Sequence, residues 1–179
     1  LIKVFSDWIT WTNIDGYRID TVKHIEHDFW LEFCPAIRNH AKSIGKEKFF
    51  MFGESFDGDD ELIGSYTMPE MLDSVVYFSQ KYWVYDGVFG NGDPTSKIKE
   101  LYDMRTTNWG SVAHENGIGV SPQQIPVNFI DNHDVPRFLY AHQSEEKLKL
   151  ALGYLYTQEG VPILYYGTEQ GFSGGNDPA

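Results

Sequence analysis

The feature that most constrains this chain is a recurrence. Short apolar runs, each too brief for an independent helix, close on a knot of polar residues and give way to a stretch with helical spacing. The runs sit in GYRIDTVKH (16–24), KFFMFGE (48–54), MLDSVVYF (71–78), IPVNFIDNHD (125–134) and VPILYYG (161–167). A run such as KFFMFGE is too continuous for a half-exposed strand and suits one covered on both faces, which is how strands of parallel sheets are placed. GYRIDTVKH differs: at a two-residue period Arg18 and Asp20 share one face, with Tyr17 and Ile19 on the other.

The intervening segments carry helix signals. Ile2, Phe5 and Ile9 form one face ahead of a stop at Asn13. A second helix is expected from about Asp28 to Ser43, apolar at Phe29, Phe33, Ile37 and Ala41 and closed by Gly45, with Pro35 expected to kink it or delay its start. KIKELYDM (97–104) reads as a short helix. Ser144 caps EEKLKLALGYLYTQE, whose Glu145 and Glu146 favour the positive end and whose Gly160 ends it.

Buried strands alternating with helices make the fold class α/β with a parallel sheet. The polar knots all follow strand ends, and a barrel of parallel strands builds its site at those ends from several strands. About five strands and four to five helices are countable, against eight of each in a closed barrel. The first residue is Leu1 and the last stretch is loop-like, so the 179 residues are expected to be a piece of a longer chain. No linker, repeat or low-complexity stretch divides them.

Composition narrows the partners. Fourteen basic against 26 acidic residues, a formal charge of -12, repel phosphate backbones and argue against nucleic acid. No segment is long and apolar enough to span a bilayer, so no membrane partner is expected. A 16% aromatic share supplies core, and rings that could line a cleft against sugar faces. Cys34 is the single cysteine, so no intrachain disulfide forms. His24 and His27 stand three apart, but one such spacing falls short of the ligand set zinc needs. DGDDE (57–61) lacks the closing glutamate of a twelve-residue calcium loop and reads as a solvated loop beside the cleft. GTEQGFSGG has no phosphate-loop lysine.

Three acidic residues stand directly at strand ends: Asp20, Glu54 and Asp134. Each alone is compatible with a helix cap. Together, in GYRIDTVKH, FGE before SFDGD, FIDNHDVPRF and VPILYYGTEQGFSGGNDPA, they resemble the alpha-amylase family of glycoside hydrolases, family 13, with a GGNDPA loop similar to that of fungal-type members. The resemblance implies a partial TIM (β/α)8 barrel, roughly the fourth to eighth strands, with residues 1–179 forming the C-terminal part of the catalytic domain. An earlier aspartate-, asparagine- and histidine-bearing motif, a small inserted domain and a C-terminal β domain would lie elsewhere. The piece alone would be inactive and prone to association through unpaired strand edges.

The resemblance further implies a retaining hydrolase of alpha-1,4-glucosidic bonds in starch, glycogen and related glucans. Asp20 would be the nucleophile, kept ionised and aimed by Arg18. Glu54 would be the acid/base, its pKa raised in part by Phe50 and Phe52 on its strand face. Asp134 would be the third carboxylate, with His133 donating to the same sugar and Asn132 orienting the two. Lys23, His24 and Asp177 would complete the substrate-binding set. The main-chain carbonyl of His24 would ligate a structural calcium whose other ligands lie outside the chain. An alpha-glucosidase or transglycosylase of the same family, or a non-catalytic barrel relative, are the alternatives. Secretion and a monomeric full-length state are further expectations from the resemblance.

Overall fold

The structure, a computed structural model, describes residues 1–175. Five parallel strands follow one another in space in chain order: β1 (Gly16–Ile19), β2 (Phe50–Gly53), β3 (Ser74–Val75), β4 (Val127–Phe129) and β5 (Val161–Ile163). β1 pairs with β2, β2 with β3 and β4 with β5, and a parallel bridge from Val76 to Val127 joins the two sets into one arc. The helices are α1 (Ile2–Thr12), α2 (His27–Ser43), α3 (Asp60–Ser65), α4 (Phe78–Gln80), α5 (Ser96–Asn108), α6 (Phe138–His142) and α7 (Glu145–Thr157). α4 continues into a wider, π-helical stretch over Lys81–Asn91 that no sequence signal had marked.

Strand alternation sorts side chains into two cores. Phe50, Phe52, Val76, Phe78, Val127, Phe129, Val161 and Ile163 pack together on the concave side of the arc. Met51, Val75 and Tyr77 face the other way into a cluster with Ile9 of α1 and Phe33, Ile37 and Ala41 of α2. Each fully buried residue of this kind contributes roughly 1.5–3 kcal/mol from apolar burial.

Local signals set the helix ends. Asn13 takes the left-handed conformation (φ 57°) and its N–H bonds to the Ile9 carbonyl, stopping α1 so that the chain turns into β1. Ser144 accepts from the Lys147 N–H at the start of α7, and Gly160, at φ 108°, turns the chain into β5. α2 starts at His27 and runs without interruption through Pro35 to Ser43, so the expected break does not occur. The ring leaves the Leu31 carbonyl without its helical donor, and Leu31 lies on the exposed side of the helix.

Two further expectations are corrected. VPILYYG is not a strand buried on both faces: Val161 and Ile163 are half-covered and Pro162 is exposed, because β5 has a described neighbour, β4, on one edge only. Nor is DGDDE wholly solvated. Asp59 caps α3 by accepting from the Glu61 and Leu62 N–H groups, and Asp60 is fully buried, accepting from Ser79 (2.7 Å) and Asn108 (2.9 Å). Burial pushes the Asp60 carboxyl above its usual range. Among the described residues no helix is long and apolar enough to cross a membrane.

Candidate active site

The carboxyl ends of the strands define the site. In the β1–β2 ladder Gly16 faces Phe50, Arg18 faces Phe52 and Ile19 faces Gly53. The Glu54 N–H bonds to the Ile19 carbonyl at 2.7 Å, which carries the register one step further and sets Asp20 opposite Glu54 on the concave face, above Phe50 and Phe52.

There the ladder slips. The Glu54 carbonyl accepts from the Val22 N–H (2.9 Å) instead of the Thr21 N–H, so the chain bulges by one residue at Thr21. Thr21 adopts φ 55°, a strained conformation for a β-branched side chain. The amide freed by the bulge donates to Glu54 Oε2 at 3.2 Å. Gly53 permits this approach, since a Cβ there would stand 2.6 Å from side-chain carbons of both Leu72 and Val22.

Burial separates the two acids. Glu54 is only 6% exposed, whereas the Asp20 side chain is 62% exposed and paired with Arg18 (Nη1 to Oδ1, 2.9 Å). Asp134 follows β4. Asn132 Oδ1 accepts from the Asp134 and Val135 N–H groups (2.8 and 3.1 Å), a turn that orients the segment, and His133 Nε2 lies 3.0 Å from Asp134 Oδ2.

These three carboxylates share one hollow. A cleft of about 550 Å³ is lined by Asp20, Thr21, Lys23, His24, Glu54, Phe56 and Asp134. Lys23 donates to the Phe56 carbonyl and lies 3.2 Å from Asp57 Oδ2, so it braces the wall. The Asp59 N–H, and then Lys23, hold the Asp57 carboxyl below its usual range. Arg18 and His133 are not among the lining residues, but each contacts a carboxylate that is. Asp177 lies outside the described residues. His27 turns away from His24: it bonds Ser65 Oγ at 2.9 Å and stacks on Tyr66 at 4.4 Å. Among the described residues no group of three His, Cys, Asp or Glu side chains is arranged to hold a metal.

Several contributors escaped the sequence reading. Phe56 walls the cleft and packs on Phe78 at 4.5 Å. Buried Asp131 accepts from the Phe138 N–H (2.9 Å) and from Thr168 Oγ1 (2.6 Å), and Thr168 in turn accepts from Arg137 Nη1 (3.1 Å). Arg137 also donates to the Tyr166 carbonyl at 2.8 Å and lies 4.0 Å from the Tyr165 ring centroid. This network ties the Asp134 segment to the loop after β5. The available signal was a second aspartate and an arginine inside FIDNHDVPR.

A parallel arc with helices packed on its convex side and a carboxylate-lined hollow at the strand ends places the chain in the class of (β/α)8-barrel catalytic domains. The profile of the alpha-amylase catalytic domain matches residues 1–177, and the chain belongs to that family. It is 38% identical over 97% of its length to a beta/alpha-amylase of Paenibacillus polymyxa, of which it spans 14%. It is 32% identical over 99% of its length to a cyclomaltodextrin glucanotransferase of Bacillus sp. (strain 1011), of which it spans 22%. The crystal structure of an alpha-amylase from Geobacillus thermoleovorans complexed with acarbose superposes with a TM-score of 0.82 at 30% identity, covering 99% of this chain and 37% of that one. The chain therefore spans well under half the length of the relatives it matches.

Proposed function

We propose that the cleft is the catalytic centre of a retaining glycoside hydrolase acting on alpha-1,4-linked glucans. The observation that carries this reading is the convergence of Asp20, Glu54 and Asp134, from three different strands, on one hollow. Adjacent parallel strands lie ~4.8 Å apart. Asp20 and Glu54 occupy facing positions on such neighbours, a placement that suits the roughly 5–5.5 Å carboxyl separation of retaining enzymes.

The roles follow from surroundings. Arg18 holds one oxygen of Asp20, leaving the other to attack the anomeric carbon. As that bond forms, the glycosidic C–O bond breaks and Glu54 passes its proton to the departing oxygen. The Thr21 amide donates to Glu54 Oε2, which leaves Oε1 for the proton transfer. In the second half-reaction Glu54 takes a proton from water, which displaces Asp20 and restores both groups. Asp134, with His133, grips sugar hydroxyls and stabilises the positive charge on the ring. Lys23 and His24 line the leaving-group side. Support for the glucan class comes from the relatives, which include amylases and a cyclomaltodextrin glucanotransferase. A transglycosylase shares every group named here, and partition of the glycosyl-enzyme between water and a sugar acceptor separates the two.

Calcium is proposed with a narrow local basis. The residues described here offer one main-chain oxygen, the His24 carbonyl on the cleft rim, whereas calcium takes six to eight oxygen ligands. They do not hold the ion by themselves, and no step above passes through it.

The test is Asp20→Asn in the full-length protein, assayed on soluble starch with product analysis. Turnover should fall by at least about 10³-fold, in line with loss of a covalent nucleophile, while the fold is retained. Near-normal turnover would refute the nucleophile assignment. Anomer analysis of early products must show retention; inversion would overturn the two-carboxylate geometry.

A further inference from the structure

The loop after β5 and the turn that carries Asp134 meet at one buried hydroxyl. Thr168 and Asp131 are each 1% exposed, and the Thr168 hydroxyl donates to Asp131 Oδ1 at 2.6 Å. A threonine oxygen that donates its proton still has lone pairs to accept with. Here it accepts from Arg137 Nη1 at 3.1 Å, so a single hydroxyl stands between a buried guanidinium and a buried carboxyl group. The second carboxyl oxygen, Asp131 Oδ2, accepts from the Phe138 N–H at 2.9 Å. Asp131 thereby clasps the far end of the segment it begins, and His133 and Asp134 lie inside the closed loop.

Both sides of this junction are firmly built. Gly167 takes φ 84° and its carbonyl accepts from the Phe172 N–H (3.0 Å); a Cβ there would stand 2.2 Å from the Phe172 ring, so the loop beside Thr168 is tightly coiled. Arg137 is fastened to the same loop, its N–H on the Gly174 carbonyl (3.1 Å) and its guanidinium on the Tyr166 carbonyl (2.8 Å). The Tyr165 ring, 4.0 Å from that guanidinium, lies 6.4 Å from the His133 ring. None of Asp131, Arg137 and Thr168 lines the carboxylate cleft, yet their bonds fix the segment that presents Asp134 to it. A carboxylate that stabilises developing charge is effective only if it is already in place when the charge appears. We infer that Thr168 is a positioning residue for Asp134: its hydroxyl, with the Arg137 charge behind it, holds Asp131 and through it the loop that offers Asp134 and His133 to the sugar ring. This inference rests on the reading of Asp134 as the carboxylate that stabilises the ring in the transition state. Without the hydroxyl a buried donor and a buried acceptor lose their partner, and the clasp is free to shift.

The experiment uses the full-length protein and measures kcat and KM on a chromogenic maltotrioside, with thermal melting alongside, for Thr168→Val, Thr168→Ser, Asp134→Asn and the Thr168→Val/Asp134→Asn double variant. Thr168→Val keeps the branched shape without the hydroxyl and should lower kcat about 10- to 100-fold, the loss expected for a reacting group displaced by a fraction of an ångström to about 1 Å, with KM within about threefold of the wild type. Thr168→Ser should restore kcat to within about threefold. In the Asp134→Asn background Thr168→Val should cost less than about threefold more, because a residue that acts through Asp134 then has nothing left to place. Should Thr168→Val fail to fold, Thr168→Ala, which opens space instead of filling it, is compared with Thr168→Ser in the same way. The inference is overturned by a hydroxyl-free variant with wild-type kcat whatever its melting temperature, by a rise in KM alone, by a Thr168→Ser protein as slow as the hydroxyl-free one, or by an undiminished cost in the Asp134→Asn background. An Asp134→Asn protein with wild-type turnover would refute the role given to Asp134 and this inference with it, whereas a slow Asp134→Asn beside an unimpaired Thr168→Val would sink this inference alone.

Discussion

Arg38 of α2 and Asp73, just before β3, form a fully buried ion pair at 3.2 Å in the convex core, and removing Arg38 tests how far that core depends on it. Asp73 Oδ2 accepts from the Met51 N–H at 2.8 Å, while Arg38 also donates to the Met71 carbonyl, so the pair bolts α2 to the segment between β2 and β3. Burial pushes the Asp73 carboxyl up, and the Arg38 charge opposes that rise. At an effective dielectric near 20, unit charges at this separation attract by about 5 kcal/mol. Breaking one partner of a buried pair commonly costs about 3–5 kcal/mol, because the other charge is left without compensation. Arg38→Met in the full-length protein should therefore lower the unfolding free energy of the catalytic domain by about 3–5 kcal/mol at pH 7, read by urea titration with tryptophan fluorescence. The deficit should shrink as pH is lowered: a carboxyl whose folded pKa lies above its unfolded value is relieved of charge as pH falls through that raised value. Adding Asp73→Asn, which keeps an acceptor for the Met51 N–H, should recover much of the loss. A cost under about 1 kcal/mol, or single effects that add to within ~0.5 kcal/mol, would refute the assignment of a strongly coupled buried pair.

Other expectations concern the site and its support. Gly53→Ala would press a methyl group against Val22 and Leu72 and push the Glu54 backbone off its register, so stability should fall by about 1–3 kcal/mol and turnover with it; a variant with unchanged melting and rate would contradict the contact. Burial, aided by the Arg38 charge, pushes His114 down to about 4, while its ring bonds the Leu72 carbonyl. A histidine depressed in the folded state contributes stability above its unfolded pKa near 6.5 and loses it as pH falls from there toward 4, an effect of roughly 3 kcal/mol. His114→Gln should flatten that stretch of the stability profile, and an unaltered slope would exclude His114 as its source.

The strand-end carboxylates were legible because period-two alternation and strand termini are local properties. Arg18 and Asp20 share a face by spacing alone, and the structure finds them 2.9 Å apart. The fates of the four acids between Asp57 and Glu61 were not legible. One braces Lys23, one caps α3 and one is buried under α5, and those outcomes depend on Ser79 and Asn108, far away in sequence. Pro35 shows a local rule overruled, since the packing of Phe33, Ile37 and Ala41 holds α2 helical through a residue that disfavours it.

The sequence by itself thus determined the order of strands and helices, the polar knots and the acids they present, because hydrophobic period and capping chemistry act over a few residues. Tertiary structure alone decided the bulge at Thr21 and the Asp131–Thr168–Arg137 network. Each of these is a meeting of groups distant in the chain, and burial, register and donor–acceptor pairing come into being only when the elements pack.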